Sequence, residues 1–497
     1  MPDWNSCPRE VQLMILKLVP GSYASVCKEW QAVIEKRNFR QLKLGVSCLN
    51  DFQRMTERPR DLIEKIWLNV ELLPYACRTC AMLESPTFRE RNNTIVRRAI
   101  YKLYAILSTW EPTGHGLTLE LSIHSGSDPQ HFCKNTIFGG DDEDEYYADI
   151  ESGNPLKQPT TIFDDRSHRW HEGRIGYTEV GADSILRLFE DITMPDYKNK
   201  RKLPEVHAVT SFMLRRHCRR HVKIFFTLLA LIKALPQLKT MAYEPWRAFS
   251  PDAQGFRDEA NRYIVEVGLP KGLKRLSVFE DFSEDWSLCI PSAVARIPQP
   301  QVARAFAQRS LQLEHLSVSF MVEAQHFFDA PQQHWAWHSL PPQRWAWDNL
   351  QSLALTSQLL VPLPAEEGQI SGLLRAAGKA ALHMPKLHTM ALWNCLEKDA
   401  GVFLYRKGRD ETSITWRGTW FPNLDRRVVQ AWKKVASKYT PWELRVRGEL
   451  LQGGTVKSHG DLIHALNLPP GVVDPVSLWQ IRKEGLMSGL SSQYPGP

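Results

Sequence analysis

A short pattern of the form apolar-x-x-apolar-x-apolar recurs along the chain. It stands at Phe39-Leu42-Leu44 and Ile63-Ile66-Leu68, then more regularly at Leu238-Met241-Tyr243, Leu273-Leu276-Val278 and Leu313-Leu316-Val318. Leu350-Leu353-Leu355 and Leu387-Met390-Leu392 continue it, and the last five copies begin 35, 40, 37 and 37 residues apart. Val206-Val209-Ser211 lies 32 residues before Leu238 and joins the series. Alternating apolar positions predict a strand in each copy, and near-constant spacing predicts units that stack on one another. Parallel neighbours need a crossover of a dozen or more residues, so these intervals hold one helix and two loops. Apolar residues at helical spacing fill them at 219–235, 252–267, 301–309, 370–384 and 424–438. The pattern predicts an α/β chain: a degenerate leucine-rich-repeat-like solenoid with inserted loops over 206–497, ending in a helical cap. Its repeats are longer than the usual 20–29 or so residues and lack the ladder Asn. Between the second and third apolar positions stand Ala242, Ser277, Ser317, Ala354 and Ala391, all small. They predict a smooth face on which a partner or a loop of this chain lies closely.

The first 38 residues read as a separate helical unit. Val11, Met14, Ile15, Leu18 and Val19 recur at helical steps after Ser6 and Pro8, and Pro20-Gly21 ends that helix. A second helix over 24–36 carries Val26, Trp30, Val33 and Ile34 on one side. Two helices of about three turns cannot bury both faces alone. Residues 39–124 hold the first strands and helices of the following domain, including a helix over 92–110 and a strand over Leu117, Leu119, Leu121 and Ile123. Residues 125–205 read as a polar insertion, with seven acidic residues between Gly139 and Gly153 and a basic stretch at 198–202.

Composition narrows the class. The 497 residues are 43% hydrophobic and 24% charged, as in globular chains, and a net charge of +7 is too weak for a dedicated nucleic-acid binder. No apolar stretch reaches 18 residues and residues 1–20 lack a signal peptide, so a soluble chain of the cytoplasm or nucleus, with no membrane contact, is expected. The nine cysteines are scattered, as reduced thiols are. Only Cys77 and Cys80 form a CxxC pair, and no second CxxC or HxxxH follows at finger spacing, so no metal and no cofactor are expected.

Three clusters invite a binding role. Arg215, Arg216, Arg219 and Arg220, with His217, His221 and Lys223, form the densest positive patch, a candidate surface for an anion or an acidic partner. Trp335, Trp337, Trp345 and Trp347 form two WxW units about a Pro-Pro turn, a candidate recognition surface if exposed. His168, His171 and Glu172 are the residues around which a hidden enzyme site would form, although no local catalytic motif accompanies them. The absence of such motifs favours a non-catalytic protein.

The N-terminal unit resembles an F-box, whose pattern opens LP-x-E-hydrophobic and closes V-C-x-x-W. Pro8, Glu10, Val11, Ile15, Leu16, Val19 and Pro20 match its first half, and Val26, Cys27 and Trp30 its second, with Phe39 and Leu42 beyond. Cys7 replaces the leading Leu, and the spacer GSYAS is about one helical turn shorter than the family's. The whole chain is similar to fungal F-box-like proteins with a large C-terminal region, through phrases such as ASVCKEWQ, IWLNVEL and YEPWR. The resemblance implies a substrate receptor. Pro8, Glu10, Val11, Ile15, Leu16, Val19, Val26, Cys27 and Trp30 would bind the Skp-family adaptor of a cullin–RING ubiquitin ligase. The C-terminal region would recruit a protein substrate for ubiquitination. A ubiquitin-independent interaction scaffold is the alternative.

Overall fold

The protein is described here by a computed structural model covering residues 7–19, 21–138, 146–147, 149, 164–171, 174–176, 179–194, 202–283, 286, 289–290, 296–333, 346–360, 362, 367–396, 399–422, 424–451 and 458–488. Among these described residues, twelve strands form one sheet in chain order. They are β1 (Gln41–Leu44), β2 (Lys65–Leu72), β3 (Leu117–Ser125), β4 (Val209–Leu214), β5 (Thr240–Tyr243) and β6 (Arg275–Phe279). β7 (His315–Ser319), β8 (Ser352–Thr356), β9 (Thr389–Leu396), β10 (Asp399–Lys407), β11 (Thr412–Gly418) and β12 (Leu444–Leu450) complete it. Neighbours run parallel except in the β9–β10 and β10–β11 pairs. The fold is mixed α/β around a large, mostly parallel sheet.

The repeated pattern sets the register. Leu42, Ile66, Leu119, Phe212, Met241, Leu276, Leu316, Leu353 and Met390 pair in one row across nine strands. Leu238, Leu273, Leu313, Leu350 and Leu387 form a second row, but each stands two residues ahead of its strand instead of beginning it. Their backbone N–H groups donate to the carbonyl three residues earlier, closing the turn that leads into the strand. The fourth copy is also shifted: Phe212 pairs with Met241, so the frame is Val209-Phe212-Leu214, three residues later than expected. In β3 the leading position is Gly116 at φ 71°, which hides that copy from an apolar pattern.

Helices cover one face of this sheet. They include α3 (Pro86–Leu107), α4 (Pro251–Tyr263), α5 (Pro300–Ser310), α6 (Ala324–Gln333), α7 (Glu367–Ala381) and α8 (Arg426–Tyr439). Ser85 and Ser250 cap α3 and α4 by accepting from the N–H groups of Phe88 and Ala253, with Pro at the first helical position of each. The paired row and the inward faces of these helices make the main apolar core. The helix expected over 219–235 begins only at Ile224, because cations are unfavourable at a helix N-terminus and the arginines precede it in a turn.

The opposite face is covered by the chain itself. The segment expected to be a polar insertion carries a second core, where Phe132, Cys133, Trp170, Ile185 and Phe189 pack with Trp246 and Trp286. A third core joins Ala354, Ala391, Trp393, Phe279 and Phe320 to Leu462, Ile463 and Ile481 of the C-terminal helices α9 (His459–Ala465) and α10 (Pro475–Ser488). Of the five small positions, Ser317, Ala354 and Ala391 are buried, while Ala242 and Ser277 are half-buried. Among the described residues no helix is long and apolar enough to cross a membrane.

At the other end, α1 (Arg9–Leu18) and α2 (Lys28–Arg40) flank a short turn over Gly21–Ser25. The second helix starts four residues later than expected because Cys27 is extended (φ −158°, ψ 169°), and it runs on into β1. Arg37 of α2 holds the C-terminus of α1, donating to the carbonyls of Leu16 at 3.0 Å and Val19 at 2.8 Å.

Candidate functional site

The segment Arg215–Val222 leaves β4 and crosses the face of the sheet away from helices α3–α8. All four arginines are buried, so the expected positive surface is corrected: these cations lie inside, each held by carboxylates from distant elements. Arg215 Nε donates to Glu120 Oε1 of β3 at 2.6 Å, and Lys65 Nζ reaches the other oxygen at 2.8 Å. Arg216 bonds Asp281 and, at 2.7 Å, Glu484 of α10. Arg219 donates to the second oxygen of Glu484 at 2.6 Å. Arg220 donates to Glu84 at 2.8 Å and to the Arg187 carbonyl at 2.9 Å. Bare guanidinium groups are costly to bury, and this pairing is what makes their position tolerable. The Arg219 guanidinium also lies 4.4 Å from the centre of the Trp246 ring and 5.0 Å from that of Trp286.

The network sets the charge of its members. Burial pushes the Glu484 carboxyl up, but Arg216 and Arg219 outweigh it and leave the group below its ordinary range. Glu244 at the end of β5 goes the other way. Burial, then Asp474, pushes it up to about 7, against the Ser477 hydroxyl and the Arg216 N–H that donate to it.

Beside this network an open cavity of about 510 Å³ is lined by Leu186, Phe189, His221, Tyr243, Trp246 and Phe256 among others. His221 is held neutral, its pKa far below the usual value through burial and the neighbouring Arg257 and Arg220. Arg257 donates to the Trp246 carbonyl at 2.7 Å, and the Arg89–Glu190 pair at 2.8 Å also borders the cavity. Apolar walls with a few fixed polar groups are what a binding cavity requires.

Other sequence candidates fall as follows. On α1, Val11, Met14 and Ile15 are 39%, 64% and 38% exposed, and Val26 beyond the turn is 58% exposed. Pro8, Glu10 and Cys27 are exposed, Val19 and Trp30 half-buried, whereas Leu16 is buried and leaves the surface set. Trp347 is core, its indole N–H donating to Ser310 Oγ at 2.6 Å, which corrects its reading as a recognition residue. Trp335, Trp337, Trp345, Glu172 and most of the acidic run lie outside the described residues. Neither the Cys77/Cys80 pair nor the His168/His171 pair converges: Cys80 turns its thiol to the Cys77 carbonyl at 2.9 Å, and His171 is exposed while His168 is buried. The partners of the arginines went unread. One signal was present, since Glu120 is a charge in the middle of the apolar strand LTLELS.

A family of unknown function, DUF6546, matches residues 268–474. The match runs from the residues before β6 to the loop before α10, so it contains Asp281 and Asp474 but neither the arginines nor Glu484. No curated protein and no solved structure matches the chain.

Proposed function

We propose that the chain is an F-box-type substrate receptor, non-catalytic itself. In this reading α1, the Gly21–Ser25 turn and α2 dock a Skp-family adaptor of a cullin–RING ligase in the cytoplasm or nucleus. The remainder is a degenerate leucine-rich-repeat-like solenoid that presents a protein substrate. The observation that carries the reading is that Val11, Met14, Ile15 and Val26 are all exposed apolar residues of the unit that resembles an F-box. The solenoid reading is supported by nine strands added in order with one shared row of apolar residues. Because the sheet face behind Ala354 and Ala391 is occupied by α9 and α10, substrate capture is assigned to the open cavity beside Trp246.

The test is capture of a purified Skp-family adaptor by the full chain. Ile15→Asp places an unpaired charge in the contact and is expected to abolish capture, a loss of several kcal/mol, while the thermal unfolding midpoint stays unchanged because the site is exposed. Equal capture by wild type and variant, or none by wild type, overturns the adaptor assignment. Partner recruitment that survives without adaptor binding makes the chain a scaffold instead.

A further inference from the structure

Three side chains that no sequence motif links bring their donor atoms together at one point. Cys77 Sγ, on the short helix after β2, lies 3.7 Å from His131 Nδ1, and His131 Nδ1 lies 3.0 Å from His168 Nε2. All three donor atoms fall within 4.8 Å of one another, and among the described residues no other group of His, Cys, Asp or Glu converges in this way. We infer that Cys77, His131 and His168 form a zinc site.

The geometry fits the ion. Zinc binds thiolate at about 2.3 Å and imidazole at about 2.0–2.1 Å in a tetrahedron, which sets S and N about 3.6 Å apart and two N about 3.4 Å apart. The Cys77–His131 and His131–His168 separations need shifts of a few tenths of an ångström, and the Cys77–His168 separation, within 4.8 Å, closes with about 1 Å of movement by the exposed Cys77 side chain. The surroundings are those of a ligand set. His168 Nδ1 is 2.6 Å from Asp165 Oδ2, and that carboxylate also lies 3.2 Å from Lys134 Nζ. A carboxylate on Nδ1 fixes the tautomer and leaves the Nε2 lone pair for a metal. The Trp170 indole N–H donates to the His131 carbonyl at 3.1 Å, anchoring that residue's backbone, and the Phe132 ring stands edge-on to His168. Both histidines are buried, whereas Cys77 is exposed, so the fourth position opens to solvent and takes water.

Binding forms one Zn–S and two Zn–N bonds. The Cys77 thiol proton passes to solvent, His131 carries its ring proton on Nε2, and both imidazoles bind neutral. No oxidation state changes. The ion would join the connection after β2 to the 125–205 segment, stapling the second apolar core to the sheet.

The probe is cobalt(II), which takes zinc's place and reports a thiolate ligand by near-ultraviolet charge-transfer absorption. Full-length chain, stripped with chelator and reloaded, is expected to take one cobalt and show that band. Cys77→Ser should lose the band and Cys80→Ser should keep it, both with wild-type circular dichroism. Asp165→Asn should weaken zinc binding about 10–100-fold. Zinc should raise the unfolding temperature of wild type but not of His131→Ala, a readout that does not need the thiolate. The inference is overturned if the chain takes no cobalt, if the band persists in Cys77→Ser, or if Cys80→Ser removes it.

Discussion

Glu484 and Arg216 are 268 residues apart in the chain, yet their side chains meet at 2.7 Å. The same carboxylate takes Arg219 and the backbone N–H of Ile137 at 2.9 Å. One residue of α10 thus gathers the turn after β4 and the segment that carries the second core. Glu484→Gln keeps the shape and removes the charge, leaving Arg219 buried without a bonded carboxylate among the described residues. A loss of about 3–5 kcal/mol is expected, read as a lower urea midpoint. A midpoint equal to wild type would show that the pairing is energetically idle.

Glu244 makes stability depend on pH. Its carboxyl holds its proton up to about 7 in the folded chain, against about 4.3 when unfolded. The stabilisation from that tighter proton is complete below about 4.3 and drains away as pH rises through the folded value. Urea unfolding across this window should show the loss in wild type and a flatter profile in Glu244→Gln, which has no proton to release. Identical profiles would mean that Glu244 ionises in the ordinary range.

The helices α9 and α10 touch at glycine. A Cβ on Gly460 would lie 2.6 Å from the backbone N of Arg482, an obstacle that no rotamer change relieves. Gly460→Ala is expected to cost about 3 kcal/mol, at the upper end for overpacking, and to expose the C-terminal segment to limited proteolysis. Unchanged protease resistance would show that the helices move apart freely.

Arg296 is held by planar pairing. Its two terminal nitrogens bond Asp258 at 2.9 and 2.7 Å, and its Nε lies 3.0 Å from Glu280, all three side chains being 3% exposed. A lysine supplies charge without the fork, so Arg296→Lys should still cost about 3 kcal/mol in thermal or urea unfolding. A neutral outcome would show that charge alone suffices there.

How far the chain could be read depends on how local each feature is. The row from Leu238-Met241-Tyr243 to Leu387-Met390-Leu392 was legible because burial on one face of a strand forces alternation within a few residues. The copy at β3 was not, since Gly116 occupies its leading position. β10 and β11 escaped because an antiparallel hairpin needs no crossover and so breaks the spacing. The arginine cluster was visible as density of charge. Its burial was not, because Glu84, Glu120, Asp281 and Glu484 stand far from the arginines along the sequence and meet them only in the folded chain. The zinc ligands were half visible: CxxC and HxxH each contributed one residue, and His131 completes a set that only tertiary contact assembles.

The long reach from Arg216 to Glu484 also bears on synthesis. At about 5–20 residues per second, a ribosome needs on the order of tens of seconds to travel from one to the other. Through that interval the emerging turn after β4 carries cations whose last counter-charge does not yet exist. Arg216 and Arg219 therefore gain the Glu484 carboxylate only after every strand that follows them in the sheet has been made.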